Sequence, residues 1–420
     1  NYSCRDLDMS KPIYDIGQIC ELDKWETFIE GQPFDLFQRL RSEAPIYWHE
    51  ESLDFEPGFW ALTKHEDIMK VSKDPGTFSS AVGGHLITMG DPAVVDPSAV
   101  AAIIGNMIGM DPPEHQVYRK MVSPGFSPKT IKNLEEGMRV KVRELLDNVE
   151  DKKEFNFVTE IAEQLPLWVL CEMMGIEDSQ RNRIRDLVNN LTDASIAQDP
   201  EQSMQIWFNY MELFKMGREM IEERRKNPTD DLMSMVANSE VKGDQLPAEL
   251  LDGFFLLMVI AGNETTRNTI TGGLIALTEN PEERQKLLDN PKLIANATDE
   301  MLRWVTSVIY FRRTATKDTE IRGQKIKAGD KVVMWYGSAN RDEDIFEDSH
   351  LFKVDRENAK KHLAFGAGEH LCLGNRLGHM QIRVLFEELL LRYPNIRSVA
   401  EPTRVPSNFL AGISELKVQI

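Results

Sequence analysis

The chain has 420 residues, of which 41% are hydrophobic and 28% are charged, a composition typical of globular proteins. Its formal net charge of -19 argues against nucleic acid or an anionic membrane surface as the main partner. No apolar run reaches the ~20 residues that a membrane-spanning helix needs. The four cysteines form no C-x-x-C pair and no secretory signal pattern is visible, so we expect a cytoplasmic protein with reduced thiols.

Hydropathy patterns predict a mainly α chain with a minor β region. In chain order the predicted elements are a hairpin over 44–64, an apolar loop over 80–110, helices over 131–149, 157–175, 207–226 and 247–278, and a small sheet over 319–337 with 327–330 as its turn. Pro166 predicts a kink or break in the second helix. The last helix, of about 32 residues, would span roughly 48 Å and cross a whole domain. Because no linker or repeat interrupts the pattern, residues 1–420 are predicted to form one domain.

The most informative stretch is "HLAFGAGEHLCLGNRLGHMQIR" (362–383), which surrounds Cys372 with glycines and continues into a helical pattern. Backbone amides and a helix N-terminus stabilise a thiolate, and glycines let the backbone approach a bulky flat group. The residues alone fit a haem-thiolate ligand, a small buried apolar side chain, or a nucleophile with His370 as its base. A phosphate-binding G-x-G-x-x-G loop fits poorly, because Leu371 occupies the third glycine position.

The string "FGAGEHLCLG" (365–374) resembles the haem-binding signature F-G-x-G-x-H-x-C-x-G of the cytochrome P-450 superfamily at every fixed position. The resemblance implies the single-domain fold of that family, with a long central helix over the haem, and haem b (iron protoporphyrin IX) as cofactor. It also implies that Cys372 is the metal ligand, whose electron donation favours O–O bond cleavage, and that Phe365 packs beside the sulfur.

Within the long predicted helix, "AGNETT" (261–266) resembles the oxygen-activation motif of the same family. The resemblance implies that Ala261 and Gly262 leave room above the iron for dioxygen. Thr265 would hold the bound oxygen, and Glu264 would relay protons. Taken alone, the residues also fit a surface glutamate followed by two threonines that bond the local backbone.

"EMLR" (300–303) matches the E-x-x-R pair of the family, which implies that Glu300 and Arg303 form a buried pair behind the haem. Taken alone, such a pair fits an exposed salt bridge of little energetic value. The chain departs from the family pattern because Leu351 stands where a third arginine usually lies. Arg341 and Arg356 are the candidates to replace it.

Haem propionates need cations or hydrogen-bond donors. "DPPEHQVYR" (111–119) resembles a family segment that places His115 and Arg119 one turn apart on one helix face. Arg313 in "RRTAT" and His362 stand where the family often has propionate ligands. Without the resemblance, these residues fit a solvated charged face.

Together these motifs imply a monooxygenase that inserts one atom of O₂ into a C–H bond of a hydrophobic substrate. The expected substrate is an alkyl chain, a terpenoid or a steroid side chain. Electrons would come from a ferredoxin and its NAD(P)H-dependent reductase, docking a monomeric enzyme at Lys120, Arg376 and Arg383. The alternatives are a peroxygenase that takes H₂O₂ directly and a haem sensor or electron carrier without turnover.

An apolar substrate chamber is also predicted, with no charged anchor. The residues expected to line it are Leu86, Ile87, Ile103, Met107, Ile108, Val259, Val308, Ile309 and Phe409.

Overall fold

Apolar residues spaced three and four apart fold most of the chain into helices that bury one face. The computed structural model describes residues 21–51, 58–87, 106–188, 191, 200–241 and 243–420. The α-helices are α1 (Phe34–Glu43), α2 (His65–Ser72), α3 (Glu114–Val122), α4 (Pro128–Asp147), α5 (Gln164–Met174), α6 (Asp178–Val188), α7 (Pro200–Lys226), α8 (Leu232–Ala237), α9 (Ala248–Glu279), α10 (Pro281–Asp289), α11 (Ile294–Val305), α12 (Tyr336–Ala339) and α13 (Asn375–Arg392).

Helix α9 is the longest of the described helices, with 32 residues, and it crosses the centre of the molecule. It is apolar around most of its circumference because it packs against α5, α7, α11 and α13. Gly272 permits the close approach to α11, since a Cβ there would lie 2.6 Å from a methyl carbon of Val305. Among the described helices, none combines the length and apolar character that crossing a bilayer requires.

The other helix predictions are confirmed with shifted ends, and the break near Pro166 is confirmed as well. A π-helical turn over Val158–Ala162 precedes α5, so Pro166 falls in the first turn of α5. The amides of a first turn have no partner within the helix, so the missing N–H of proline costs no hydrogen bond there. Within the predicted loop over 80–110, the structure describes 80–87 and 106–110, where Met107–Gly109 forms a 3₁₀ turn.

The largest described sheet packs beside the helical region and has the strand order β1-β2-β10-β7-β3. Its strands are β1 (Ile46–His49), β2 (Phe59–Leu62), β3 (Phe78–Ser79), β7 (Tyr310–Ala315) and β10 (Lys331–Trp335). The remaining strands form small sheets: β4 (Glu154–Asn156), β5 (Glu240–Val241), β6 (Asp244–Gln245), β8 (Thr319–Ile321), β9 (Gln324–Ile326), β11 (Arg397–Ser398), β12 (Thr403–Val405), β13 (Gly412–Glu415) and β14 (Lys417–Gln419). The predicted hairpin over 44–64 is confirmed as the antiparallel pair β1–β2.

The predicted sheet over 319–337 is wrong in its pairing. β8 and β9 close on each other through Arg322 and Gly323, which both have positive φ, as a two-residue hairpin turn requires. β10 instead lies between β2 and β7, parallel to the former and antiparallel to the latter. Its five residues are all buried, which is why it belongs at the centre of a covered sheet.

A buried ion cluster fastens α11 to the segment that follows α12. Both Nε and Nη2 of Arg303 donate to the carboxylate of Glu300 at 2.7 Å, and both side chains are 0% exposed. Arg356 Nε approaches both oxygens of that carboxylate at 3.1 Å and its Nη atoms donate to the carbonyls of 347, 348 and 351.

Arg356, and not Arg341, is therefore the third arginine of the cluster. Arg341 lies over the ring of Trp304, 3.5 Å from its centroid, and donates to backbone carbonyls. The carbonyl of Leu351 accepts from both Arg303 and Arg356, so the segment lacking the usual arginine still takes part through its backbone.

We predict that Arg356→Ala lowers the free energy of unfolding by about 3–5 kcal/mol, because it leaves buried carbonyls and part of a buried carboxylate without donors. The exposed pair Arg39–Glu43 provides the control, and Arg39→Ala should cost less than about 1 kcal/mol. Chemical denaturation followed by far-UV circular dichroism measures both. Equal losses in the two variants would contradict the assignment.

Candidate active site

A cavity lies between the middle of α9 and the loop that precedes α13. Its volume is about 230 Å³. The wall is apolar over most of its area and carries its charged groups on α3 and β7.

The loop over 363–374 is held by its own backbone and by contacts with Asn340 after α12 and Ser72 at the end of α2. The amide of Leu363 donates to Asn340 Oδ1 at 2.6 Å, and the amide of Cys372 donates to the carbonyl of Phe365 at 2.9 Å. Gly368 has a φ of +68° and lies so close to the carbonyl of Ser72 that no Cβ fits there. The glycines therefore fix a tight path that leads to Cys372.

The side chain of Cys372 opens onto the cavity, just before α13 begins at Asn375. Surrounding protein atoms raise the pKa of this thiol, while a hydrogen bond from the Gly374 amide and the charge of Arg119 lower it. Burial has the largest effect, so the pKa of the thiol lies above its ordinary value, and the Gly374 amide at the start of α13 and the charge of Arg119 offset only part of this rise. The predicted position of Cys372 directly before a helix is confirmed.

Helix α9 supplies the facing wall through Ala261, Gly262 and Thr265. The hydroxyl of Thr265 donates to the carbonyl of Ala261 at 2.8 Å, which leaves its oxygen as an acceptor toward the cavity. Glu264 does not line the cavity. It is buried behind this wall, with Arg267 Nη2 3.5 Å from its carboxylate oxygen. The structure thus brings three of the four predicted oxygen-site residues to the cavity.

Two arginines reach the cavity from different elements, as the sequence predicts. Arg119 on α3 donates to the carbonyl of Leu371 at 2.6 Å. Arg313 on β7 is 4% exposed and donates to the carbonyl of Arg312 at 2.8 Å. Among the described residues, neither guanidinium forms an ion pair with a carboxylate. A buried cation without an anionic partner is costly, so this end of the cavity is built for an anion.

Histidines surround these two cations. His115 lines the cavity, and its ring centroid lies 4.2 Å from that of His370. Burial, reinforced by the charge of Arg313, lowers the pKa of His370 to about 2, so this ring is neutral. Among the described residues, His115 Nδ1 and His85 Nδ1 have no hydrogen-bond partner.

Sequence reasoning missed His370 as a wall residue. It considered His370 as a base for Cys372, although the ring instead lies beside His115 and within 3.1 Å of Ser80 Oγ. Its place in the matched signature was the signal that could have identified it.

His362 does not reach the cavity, contrary to the prediction. Its Nε2 lies 3.6 Å from Asp299 on α11, and its Nδ1 accepts from the amide of Ala364 at 3.2 Å. Hydrogen bonds from His362 and His379 outweigh the effect of burial and hold the pKa of Asp299 well below its usual range. His362 thus anchors the cysteine loop to α11.

The predicted chamber residues are right only in part. Met107, Ile108 and Val308 line the cavity, and Ile103 lies outside the described residues. The others are absent from the wall. Val259 belongs to the helical core, and a second apolar cluster beside the sheet, which contains Trp335, includes Ile87, Ile309 and Phe409. The carbonyl of Leu86 accepts a hydrogen bond from Arg312. Residues of α5 and α9 take their place: Val169, Leu170, Met173, Phe254, Leu257 and Met258.

Comparisons with known proteins define the class. The sequence model of cytochrome P450 matches residues 62–418. Linalool 8-monooxygenase of Pseudomonas putida is 36% identical over 403 residues, covering 95% of this chain and 98% of that protein. The methyl-branched lipid omega-hydroxylase of Mycobacterium bovis is 38% identical over 423 residues, covering 97% and 95%.

A solved structure agrees with these relatives. A cytochrome P450 of Mycobacterium marinum in complex with pseudoionone has a TM-score of 0.89 and 34% identity, covering 97% of this chain and 99% of that one. The mainly helical fold with a cysteine loop under a long helix is thus that of a haem-iron oxidoreductase. The chain belongs to the cytochrome P450 family, whose named relatives here hydroxylate hydrophobic substrates with O₂.

We predict that Cys372→Ala abolishes the long-wavelength absorbance of the reduced carbonyl complex that thiolate ligation produces. Cys171→Ala is the matched control, since Cys171 is buried in the helical core and does not line the cavity. The control should retain the band. An unchanged band in Cys372→Ala would overturn the ligand assignment.

We predict that Arg119→Ala and Arg313→Ala each speed haem loss about tenfold or more, because a hydrogen bond to a charged group contributes about 1.5–3 kcal/mol. Transfer of haem to apomyoglobin measures the rate. Arg119→Lys and Arg313→Lys keep a cation and should restore part of the retention, whereas Arg39→Ala should match the parent. Parent-like haem retention in both alanine variants would show that these cations serve another purpose.

Proposed function

We propose that this protein is a haem b monooxygenase that hydroxylates a C–H bond of an alkyl chain, a terpenoid or a steroid side chain with electrons from a ferredoxin. The proposal rests on one observation. The thiol of Cys372 and the hydroxyl of Thr265 line facing walls of the same cavity. When bound, the haem iron activates O₂ so that one atom enters the substrate and the other leaves as water.

The residues present suit the haem. Cys372 would ligate the iron, with Phe365 beside its sulfur. Arg119, Arg313 and His115 would hold the propionates, since two guanidinium groups and an imidazole ring line the same cavity. Gly366, with a φ of +68° and only Tyr336 and a backbone carbonyl within 4 Å of its missing Cβ, leaves room for a flat group against the loop.

Proton supply would pass along α9. Glu264 is buried with Arg267 Nη2 3.5 Å from its carboxylate oxygen, and it directly precedes Thr265 in the chain. The Thr265 hydroxyl lies on the cavity wall, where its oxygen would accept a hydrogen bond from a proton-donating group. Ala261 and Gly262 leave space in the cavity at this point, because neither carries a side chain larger than a methyl group.

Electron supply from a ferredoxin and its NAD(P)H-dependent reductase is supported by exposed cations near the cysteine loop. Lys120 on α3 and Arg376 at the start of α13 are exposed on a chain of net charge -19. Arg383 is a weaker candidate than the sequence indicated, because Glu135 and Glu387 both pair with it. We therefore assign docking to Lys120 and Arg376 of a monomeric enzyme.

The apolar wall supports a hydrophobic substrate, and the named relatives act on linalool and on methyl-branched lipids. Titration of the holoenzyme with terpenoids, long-chain lipids and steroids, followed by the shift of the Soret band, ranks these classes. NADH oxidation with a surrogate ferredoxin, measured with and without the best ligand, separates a monooxygenase from a sensor or a peroxygenase.

We predict that Thr265→Ala keeps NADH oxidation near the parent rate but yields little hydroxylated product, with the reducing equivalents released as H₂O₂. The hydroxyl serves proton delivery and not haem or substrate binding, so the carbonyl spectrum and ligand affinity should stay within about twofold.

Thr278→Ala is the matched control, because Thr278 makes the same bond to the helix carbonyl of Leu274 but lies at the end of α9, away from the cavity. It should couple like the parent. Full coupling of NADH to product in Thr265→Ala would assign proton delivery to another group.

A further inference from the structure

The phenol of Tyr336 has no use in the site described so far. Tyr336 begins α12 directly after β10, and it lines the cavity although it is only 2% exposed. Its hydroxyl has no hydrogen-bond partner among the described residues, and its oxygen is not one of the buried polar atoms that the protein seals completely. The hydroxyl is therefore open to the cavity with its donor and its acceptors unused.

The Tyr336 hydroxyl lies beside the cysteine loop and near a buried cation. Its oxygen is 3.7 Å from the point that a Cβ on Gly366 would occupy. The charge of Arg313 lowers the pKa of Tyr336, but burial has the larger effect, and the pKa lies above its ordinary value. The phenol thus keeps its proton at neutral pH. Arg313 cannot take the hydrogen bond that this proton offers, because a guanidinium has no acceptor.

The backbone and the ring of Tyr336 are both fixed. The ring meets that of Phe311 edge-on, with 6.2 Å between the centroids. The carbonyl of Tyr336 accepts from the amide of Asn340 at 2.9 Å, and the side chain of Asn340 bonds Thr306 and the amide of Leu363. The hydroxyl is therefore preorganised, and a ligand would not have to order it.

The surroundings of the Tyr336 hydroxyl favour an anionic acceptor. Arg119 and Arg313 line the same cavity, and neither has a carboxylate partner among the described residues. The apolar wall on α5 and α9 belongs to other elements than Gly366, against which the hydroxyl lies. A hydrogen bond to a charged acceptor is about twice as strong as one between neutral groups. A carboxylate that pairs with Arg313 would thus gain most from a phenol at this place.

We propose that Tyr336 is a haem-binding residue, whose hydroxyl donates a hydrogen bond to a propionate carboxylate that also pairs with Arg313. The proposal rests on the proposed function, since it takes the cavity as the haem site. A neutral donor supports the carboxylate without adding another buried charge. The bond would also draw negative charge away from the iron and so favour its reduced state.

The test is Tyr336→Phe in the holoenzyme, which removes one oxygen and keeps the ring against Phe311. Transfer of haem to apomyoglobin should be about tenfold faster, as expected for the loss of one hydrogen bond to a charged group. The reduction potential of the haem should fall, because the propionate then carries more of its negative charge. The propionate bending band in the resonance Raman spectrum should shift, since its frequency depends on hydrogen bonding to the carboxylate.

Tyr310→Phe is the matched control. Tyr310 is 3% exposed, does not line the cavity, and its hydroxyl accepts from the amide of Ile87 at 3.3 Å. This variant should lose stability but keep the haem transfer rate, the reduction potential and the propionate band of the parent. Melting temperatures of both variants separate a loss of stability from a loss of haem contact.

The proposal is overturned if Tyr336→Phe matches the parent in haem transfer and reduction potential. It is also overturned if haem transfer is faster while the propionate band stays unshifted, because the hydroxyl would then support the fold or a water molecule and not the carboxylate. The absorbance of the reduced carbonyl complex tests the haem assignment separately. A parent without the band of thiolate ligation would overturn the proposed function as well, whereas a parent with the band leaves only the role of Tyr336 in question.

Discussion

A sulfur anion inside a protein is stable only where hydrogen-bond donors and positive potential surround it, and this requirement organises the centre of the molecule. Burial raises the pKa of the Cys372 thiol, and no side chain on the described wall forms an ion pair with it. The compensating donors come from the backbone, through the Gly374 amide and the start of α13. A backbone that provides these donors must follow a defined path. This requirement explains why Gly366 and Gly368 of the loop have positive φ.

The path of the cysteine loop depends in turn on the buried ion cluster. Arg303 donates to the carbonyl of Asn340, whose side chain bonds Thr306 on one side and the amide of Leu363 on the other. Asn340 thus joins the end of α11 to the loop that leads to Cys372. Because Ser307, a residue of the cavity wall, follows Thr306 directly, the same contact connects the cavity wall to the cysteine loop.

The cavity carries positive charge, whereas the chain as a whole is negatively charged. A protein of net charge -19 places Arg119 and Arg313 around one end of its cavity, where neither has a carboxylate partner among the described residues. Such an arrangement costs stability in the absence of an anion and returns it when one binds. The stability of the protein should therefore rise with haem content.

Local sequence determined the parts of this protein that depend on spacing alone. Helical periodicity gave α9 almost to the residue, and the string around Cys372 specified both a glycine-bound loop and the helix after it. The i, i+3 spacing of Glu300 and Arg303 likewise predicts that the two side chains can pair on one helix face. These features need no knowledge of what lies across the molecule.

Contacts between distant segments were decided only by the tertiary structure. Arg356 and Arg341 are equally suitable by type, but only Arg356 has its guanidinium aimed at Glu300 once the segment after α12 folds back over α11. His362 directly precedes the cysteine loop, but its side chain contacts Asp299. Strand β10 follows β9 in the chain, but it pairs with β2 and β7. Ser307 gives no signal in the sequence, because only the fold buries its hydroxyl and leaves it without a hydrogen-bond partner among the described residues.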